Sequence, residues 1–535
     1  MRRTWIIGVL AAVTAAAGAA AYQRGAHWKE FKYVGTRLMA NLDQPDALIR
    51  TQSLSRLPRD LLKVPIAKDV LTEDLVFYYE QNEDRLGLKG AIKRIAYEHK
   101  LDWTDRIIAT AFDEAAEVAL WRDGKGALRH FAMVMQRNTL SKVLQEAATV
   151  ALKDQQLSVA GEIDAGGDKV KVYALTLNPR RTLLLVSKGS RIVVLSDPGL
   201  LFDKGNKVVP QAQAAIAEWL EKDGALATRF ALARPQPEAD DKQPVHTMAI
   251  GASTLALGYG SFLPGFKGLR FDFGGAWSTS AWIDQKALPR AGLGDAALWR
   301  AAPANPSACV VLPVDWRAAK TVIAEADKKP ELPSAAALAA LDGSALACWY
   351  GESQLYSPVF IARLAKGTGD RNAALKALAG WAIARPEADK ENDSKKGAKS
   401  AARMIWRAAA NPSQIAPALA SREDYVAFSP DGALVDRVLD TLAHKNPSVA
   451  DQMPTSDAML GVVTPRRLSA MAESEAMTAL SGSGDATLRA AAETHLPARM
   501  KALAAYPPYR LELASKDGVQ DGWQRVEWRT PKEDK

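Results

Sequence analysis

The stretches Gly268-Leu269-Arg270-Phe271-Asp272-Phe273 and Pro508-Tyr509-Arg510-Leu511-Glu512-Leu513 repeat one pattern, with Arg510 standing 240 positions after Arg270. In both, apolar side chains alternate with an arginine and then an acid, the two-residue period of a β-strand. Each is followed by two tryptophans five positions apart. These are Trp277 and Trp282, then Trp523 and Trp528, an offset of 246 after a longer turn around Gly518 and Gly522. Upstream, Glu117-Val118-Ala119-Leu120-Trp121 follows Ala111-Phe112-Asp113, and Ala345-Leu346-Ala347-Cys348-Trp349 follows Ala340-Leu341-Asp342, the two tryptophans being 228 apart. Offsets that rise in order along a chain are what a divergent duplication with small insertions produces. Two related α/β units are therefore expected, at 70–290 and 305–535; the plainer alternative is that alternating strands resemble one another generically.

The rest of the chain fits a mixed α/β (α+β) class: two related units of antiparallel strand hairpins and packed helices, preceded by a helical lead-in. Glu117 to Trp121 and Leu128 to Met135 flank Asp123-Gly124-Lys125-Gly126, and Leu183 to Ser187 and Arg191 to Leu195 flank Lys188-Gly189-Ser190. Glycine between β-rich runs is a hairpin signal. Helices are expected over Gln211 to Leu220, just after Pro210, and over Asn372 to Ile383, before Arg385-Pro386. Leu48, Ile49, Leu54, Leu57, Leu61 and Leu62 recur at three- and four-residue steps, so 25–69 reads as helical, broken by Pro58 and Pro65. Phe77-Tyr78-Tyr79 reads as part of a buried strand. The charged stretch 385–400, RPEADKENDSKKGAKS, has nothing to bury and reads as a solvated loop.

Arg2 and Arg3 precede an uncharged, apolar run from Trp5 to Tyr22. A basic start before such a run is an export signal, and about 18 apolar residues is also the lower limit for spanning a bilayer. Residues 1–24 are accordingly either a signal peptide, with small residues for cleavage at Ala17-Gly18-Ala19 or Ala19-Ala20-Ala21, or an uncleaved N-terminal anchor. In both cases the arginines stay in the cytoplasm and the remainder is sent across, so a periplasmic location is expected, anchored to the inner membrane if the run is kept.

Composition narrows the classes further. Of 535 residues 48% are hydrophobic and 24% charged, the ordinary globular range, which excludes wholesale disorder and a polytopic membrane protein. The net charge of +8 is spread among interspersed acids and bases, so no nucleic-acid partner is expected. The six histidines, His27, His99, His130, His246, His444 and His495, form no H-x-H or H-E-x-x-H pattern, so neither a catalytic metal nor any cofactor is expected. Gly258-Tyr259-Gly260 lacks the third glycine of a dinucleotide loop, and Ser481-Gly482-Ser483-Gly484 is a turn and not a nucleophile elbow. The acid pairs Glu73-Asp74 and Asp240-Asp241 are sequence neighbours that point apart. No catalytic residue is assigned, and a triad drawn from distant segments stays open.

Two sets of residues are singled out. The odd spacing in each tryptophan pair puts the two rings on opposite faces of a strand, so Trp277, Trp282, Trp523 and Trp528 are either an aromatic surface for a partner or covers for a sheet edge. Cys309 and Cys348, the only cysteines, fall in two candidate strands of the same half; in an oxidising compartment they are a candidate disulfide, although two separately buried thiols would read the same.

The run from Arg50 to His99, RTQSLSRLPRDLLKVPIAKDVLTEDLVFYYEQNEDRLGLKGAIKRIAYEH, and Ala116 to Phe131, AEVALWRDGKGALRHF, resemble the proteobacterial envelope family catalogued as domain of unknown function 2138. No catalytic motif defines that family, so the resemblance transfers no residue role. Its genes often lie beside one for a bacterial alpha-2-macroglobulin-like protein, which implies a shared envelope task and a partner of that class. Two functions are thus expected to compete: an exported accessory or binding protein, and a periplasmic hydrolase of peptide or cell-wall material whose triad sequence order conceals.

Overall fold

The computed structural model describes residues 30–64, 114–136, 157–229, 244–255, 263–288, 295–316, 338–383, 386–388, 404–408, 416–481, 486–514 and 522–530, apart from short gaps within these ranges. The apolar run, Phe77 to Tyr79, Ala111 to Asp113, Gly258 to Gly260, both adjacent acid pairs and most of 385–400 lie outside the described residues. The described chain is mixed but dominated by strands. It divides into two compact units, 1–254 with 269–277, and 255–268 with 278–535.

The first unit contains β1 (Ala47–Thr51), a short helix α1 (Leu57–Leu61), β2 (Ala116–Arg122), β3 (Leu128–Gln136), β4 (Leu157–Ala165), β5 (Asp168–Asn178), β6 (Arg181–Lys188) and β7 (Arg191–Leu195). A small ribbon, β8 (Phe202–Asp203) and β9 (Lys207–Val208), leads to helices α2 (Pro210–Glu221) and α3 (Ala225–Arg229), then β10 (His246–Gly251) and most of β11 (Phe266–Phe273). These strands pair antiparallel in the spatial order β10, β1, β2, β3, β7, β6, β5, β4. The β4–β5 turn is two glycines, Gly166 at φ 60° and Gly167 at φ 85°, the doubly left-handed backbone a tight hairpin needs and other residues resist.

Strands β6 and β7 are apolar runs, with Leu183 to Val186 and Ile192 to Leu195 buried throughout, because both faces of this part of the sheet are covered. Helix α2 supplies part of that cover. It starts at Pro210, whose missing N–H costs nothing in a first turn, and buries Ala212, Ala215, Ile216, Trp219 and Leu220 on one stripe. The fully buried Trp219 lies 6.5 Å from the Trp121 ring on β2. Each large apolar side chain so enclosed contributes about 1.5–3 kcal/mol.

The second unit begins with β12 (Trp277–Ile283), apart from its first residue, and continues through β13 (Ala308–Leu312), β14 (Leu341–Trp349), β15 (Val359–Leu364), helix α4 (Arg371–Ala382), β16 (Pro386–Ala388), β17 (Met404–Ala408), β18 (Ala418–Arg422) and β19 (Tyr425–Ser429). Helices α5 (Gly432–Leu442) and α6 (Val449–Gln452), strand β20 (Met459–Val463), the long helices α7 (Pro465–Ser481) and α8 (Ala486–Ala504), and strands β21 (Tyr509–Leu513) and β22 (Gly522–Arg529) complete it. The antiparallel order is β12, β22, β21, β20, β13, β14, β15, β19, β18, β17, β16. Helix α5 buries Leu434, Val435, Val438, Leu439 and Leu442 in a core shared with Ile361, Ala420 and Ala427.

From β20 to β16, this order repeats the connectivity that β10 to β4 has in the first unit. The registers agree as well. In the first unit Ile49 faces Val118, then follow Met133, Val194, Leu185 and Tyr173 across the sheet. In the second the row is Val311, Leu346, Ile361, Ala427, Ala420 and Ile405. One departure is between β20 and β21, where α7 and α8 occupy a connection that is shorter between β10 and β11.

Two expectations need correction. Among its described residues, the stretch read as a helical lead-in makes a strand at Ala47–Thr51, hydrogen-bonded on both sides, and helix only at Leu57–Leu61; sheet pairing on two edges outweighs the local three-and-four spacing of leucines. The charged stretch 385–400 is not all loop, since Pro386–Ala388 pairs with β17. In β11 and β21 it is the charged set, Arg270 with Asp272 and Arg510 with Glu512, that is buried, while Leu269, Phe271, Tyr509 and Leu511 are half-buried.

Candidate functional site

The nearest approach to catalytic chemistry among the described residues of the first unit is a chain of three side chains. Thr51, last residue of β1, faces His246, first residue of β10, and their Oγ1 and Nδ1 atoms are 2.8 Å apart. The other ring nitrogen, Nε2, is 2.9 Å from Oδ2 of Asp60 on α1. Thr51, His246 and Asp60 are each at most 2% exposed, and the Phe273 ring lies 5.0 Å from the imidazole. Hydroxyl, imidazole and carboxylate in series are the parts of a hydrolytic triad, but the ring is turned the other way: in a triad Nε2 serves the hydroxyl and Nδ1 the acid. The Thr51 hydroxyl also points its single proton at the Ser53 carbonyl, 2.8 Å away, and accepts the Ser53 N–H. A nucleophile so committed and sealed has no route to a substrate.

The chain instead holds α1 to the sheet. The Asp60 carboxylate receives Lys63 at 2.7 Å and faces Arg56 at 3.6 Å in addition to His246. Burial pushes the Asp60 carboxyl up, yet hydrogen bonds from Lys63 and His246, with the charges of Lys63 and Arg56, outweigh it and hold it below its ordinary value. Glu117 on β2 shows the opposite balance. Burial raises it despite the Arg50 charge at 3.9 Å and the α3 backbone N–H of Leu226 that it accepts at 3.2 Å.

A second polar arrangement occurs once in each unit. On β11 the Arg270 guanidinium contacts Asp272 at 2.8 Å, and Asp272 accepts the Thr247 hydroxyl from β10. On β21 Arg510 contacts Glu512 at 3.1 Å, and Glu512 accepts the Ser456 hydroxyl at 3.1 Å. Removing one member of such a buried pair leaves the other charge uncompensated. The signal for these pairs is in the sequence, as R-x-D and R-x-E inside alternating strands. The Thr51–His246–Asp60 chain has no local signal, because its members meet only when β1 and β10 pair and α1 folds over them.

The four tryptophans do not share one environment. Trp277 stacks on Phe271, centroids 6.0 Å apart. Trp282 faces Trp523 across the β12–β22 ladder with centroids 5.6 Å apart, and Trp523 is buried. Trp528 meets the Tyr509 edge at 5.6 Å. Trp277, Trp282 and Trp528 are half-buried, whereas Trp523 has no surface to offer a partner. Cys309 and Cys348 stand directly opposite each other in the β13–β14 ladder, Cα atoms 4.0 Å apart and sulfurs at bonding distance, both fully buried. Among the described residues no three His, Cys, Asp or Glu side chains converge as a metal ion would require.

Comparison with known proteins agrees on one family. The bacterial family described as "Uncharacterized protein conserved in bacteria (DUF2138)" matches residues 5–528. The curated protein "Uncharacterized protein YfaA" of Escherichia coli strain K12 is 30% identical over 527 residues, covering 93% of this chain and 92% of its own length. No solved structure matches.

Proposed function

We propose a function from one premise: the chain belongs to the bacterial DUF2138 family. The reading is an exported, non-catalytic binding protein of the cell envelope, built by duplication of one strand-rich unit and working by holding a protein partner. Matching strand orders and matching rows of facing residues support the duplication. Export rests on the sequence alone, on Arg2, Arg3 and the apolar run to Tyr22. Among the described residues no helix is long and apolar enough to cross a membrane.

The observation that carries the binding reading is the surface of the second unit where β12, β22 and β21 run together. Trp282 keeps part of its ring exposed on one face of these strands, with Glu527 and Arg529 half-exposed on that same face, and Trp528 keeps part of its ring exposed on the opposite face. Partly exposed aromatic rings beside arginine are the composition of interface hot spots. The alpha-2-macroglobulin-like class implied by the family resemblance is the first partner to try. With a purified partner of that class, Trp282→Ala or Trp528→Ala is expected to weaken binding by about 2 kcal/mol or more, as aromatic hot spots do. Unchanged affinity in both variants removes this surface from the reading. Turnover of a peptide or glycan by the purified protein, abolished by replacing one serine, cysteine or histidine outside the sealed Thr51–His246–Asp60 chain, would favour the hydrolase instead.

A further inference from the structure

A strap of residues 30–42 lies against the first unit, and its exposed face has a composition that its inner face lacks. Phe31 donates its N–H to the Val159 carbonyl at the outer strand β4, Leu38 to Gly199, and Gly205 to Tyr33. Asn206, in the turn between β8 and β9 and at φ 62°, ties the strap down. Its amide donates to the carbonyls of Phe31 and Ala160, and its side-chain oxygen accepts the Tyr33 N–H. Sequence alternation does the rest. Phe31, Tyr33 and Gly35 turn inward, while Lys32, Val34 and Thr36 turn out.

The outward set is unusual for a protein surface. Val34 is 87% exposed and Met39 is 92% exposed, the two most exposed large apolar side chains among the described residues. Around them stand Lys32 and Arg37 on the strap and Lys204 and Lys207 on the ribbon that clasps it, all exposed. The acids close by are Glu30, Asp203 and Asp197, the last turned inward to accept the Gly199 N–H at 2.7 Å. Apolar side chains flanked by cations are the pattern that settles on an anionic bilayer surface, the apolar groups entering the headgroup boundary and the cations meeting phosphate.

The chain's own course says which surface. The apolar run ends at Tyr22, and the strap begins at Glu30. Eight residue steps at roughly 3.5 Å each let the strap lie no more than about 28 Å from the end of that run. We propose that the strap and the β8–β9 turn form a lipid-docking surface that seats the first unit on an anionic phospholipid bilayer beside its N-terminal membrane tether. This rests on the run being kept as a tether.

The test uses the full chain, with Met39→Cys carrying an environment-sensitive fluorophore; Cys309 and Cys348 are fully buried, which leaves position 39 as the accessible thiol. It is reconstituted with phosphatidylcholine vesicles, with or without phosphatidylglycerol, and read by flotation and by quenching from brominated lipid. The expected result is flotation that survives a high-salt wash, with position 39 quenched when phosphatidylglycerol is present. Combined Lys32→Glu, Arg37→Glu, Lys204→Glu and Lys207→Glu is expected to lower the quenched fraction about tenfold or more, and Val34→Ser to lower it on its own with all charges kept. Salt-resistant flotation with position 39 unquenched overturns the docking surface and leaves the tether. Flotation that needs phosphatidylglycerol and is reversed by salt, with position 39 quenched, overturns the tether and leaves the surface. No flotation overturns both.

Discussion

The two units use the same strand order and register, yet they secure the same place in the sheet by different chemistry. Where the first unit sets Ala47 opposite Leu120, the second sets Cys309 opposite Cys348. Where the first has His246, four residues before Ile250, the second has Ala458, four before Val462. One unit thus closes over a buried imidazole and carboxylate with a hydroxyl attached, the other over a pair of sulfurs. The shared rows of apolar residues make the architecture; the additions differ because a sheet tolerates any fixing element that leaves its pleat and pairing intact. The R-x-acid pair is common to both, buried each time and each time joined by a hydroxyl from the neighbouring segment.

The comparison is most severely tested at His246. His246→Ala strips Asp60 of one partner inside the core and is expected to destabilise by about 3–5 kcal/mol, measured by chemical denaturation. Lys63 and Arg56 remain on Asp60, so a loss under about 1 kcal/mol would mean they hold the carboxylate unaided. Because the matching position in the second unit is already alanine, the double variant Asp60→Leu/His246→Ala should recover much of the loss.

The cysteine pair is next. We propose that the chain is exported and that this pair is then oxidised, so mass spectrometry without reduction should find no free thiol, and reductant should lower stability by about 2–4 kcal/mol. Two free thiols in material taken from the envelope would end that proposal. Its counterpart sharpens the comparison: Ala47→Cys with Leu120→Cys occupies the equivalent facing pair and should form a bridge in the first unit.

Smaller effects come from helix starts. Asp431 caps α5 by accepting the Ala433 N–H at 3.0 Å, whereas Val209, at the start of α2, makes no side-chain cap. Asp431→Ala is expected to cost about 1 kcal/mol, while Val209→Ala should lose only what its buried side chain contributes to packing; calorimetry on both variants separates the two causes. The last effect is on the acid limb of stability. Asp60 titrates below its ordinary value when folded, so its contribution is present above the ordinary carboxylate range and is lost as pH falls beneath it. Asp60→Asn should flatten that limb relative to the parent protein, and parallel acid titrations followed by circular dichroism would reveal an unaltered slope if the carboxylate is idle.

Periodicity and glycine turns in the sequence were enough for the β2–β3 and β6–β7 hairpins, for α2 and α4 to within a residue at each end, and for the strands holding Cys309 and Cys348. These are local matters: a two-residue or 3.6-residue period is written in consecutive side chains, and a turn in its glycines. The R-x-acid motifs, with their alternating apolar neighbours, do lie in strands, β11 and β21, and the tryptophans in β12 and β22. What local pattern could not supply was partnership at long range. Leu48 and Ile49 have helical spacing but lie in a strand because β2 and β10, remote in sequence, offer hydrogen bonds on both edges. Arg270 and Arg510 alternate like surface residues but are enclosed, since an acid two positions on and a hydroxyl beyond make burial tolerable. Thr51, His246 and Asp60 become one group only by tertiary folding, and the same enclosure that brings them together shuts out the substrate their chemistry would need.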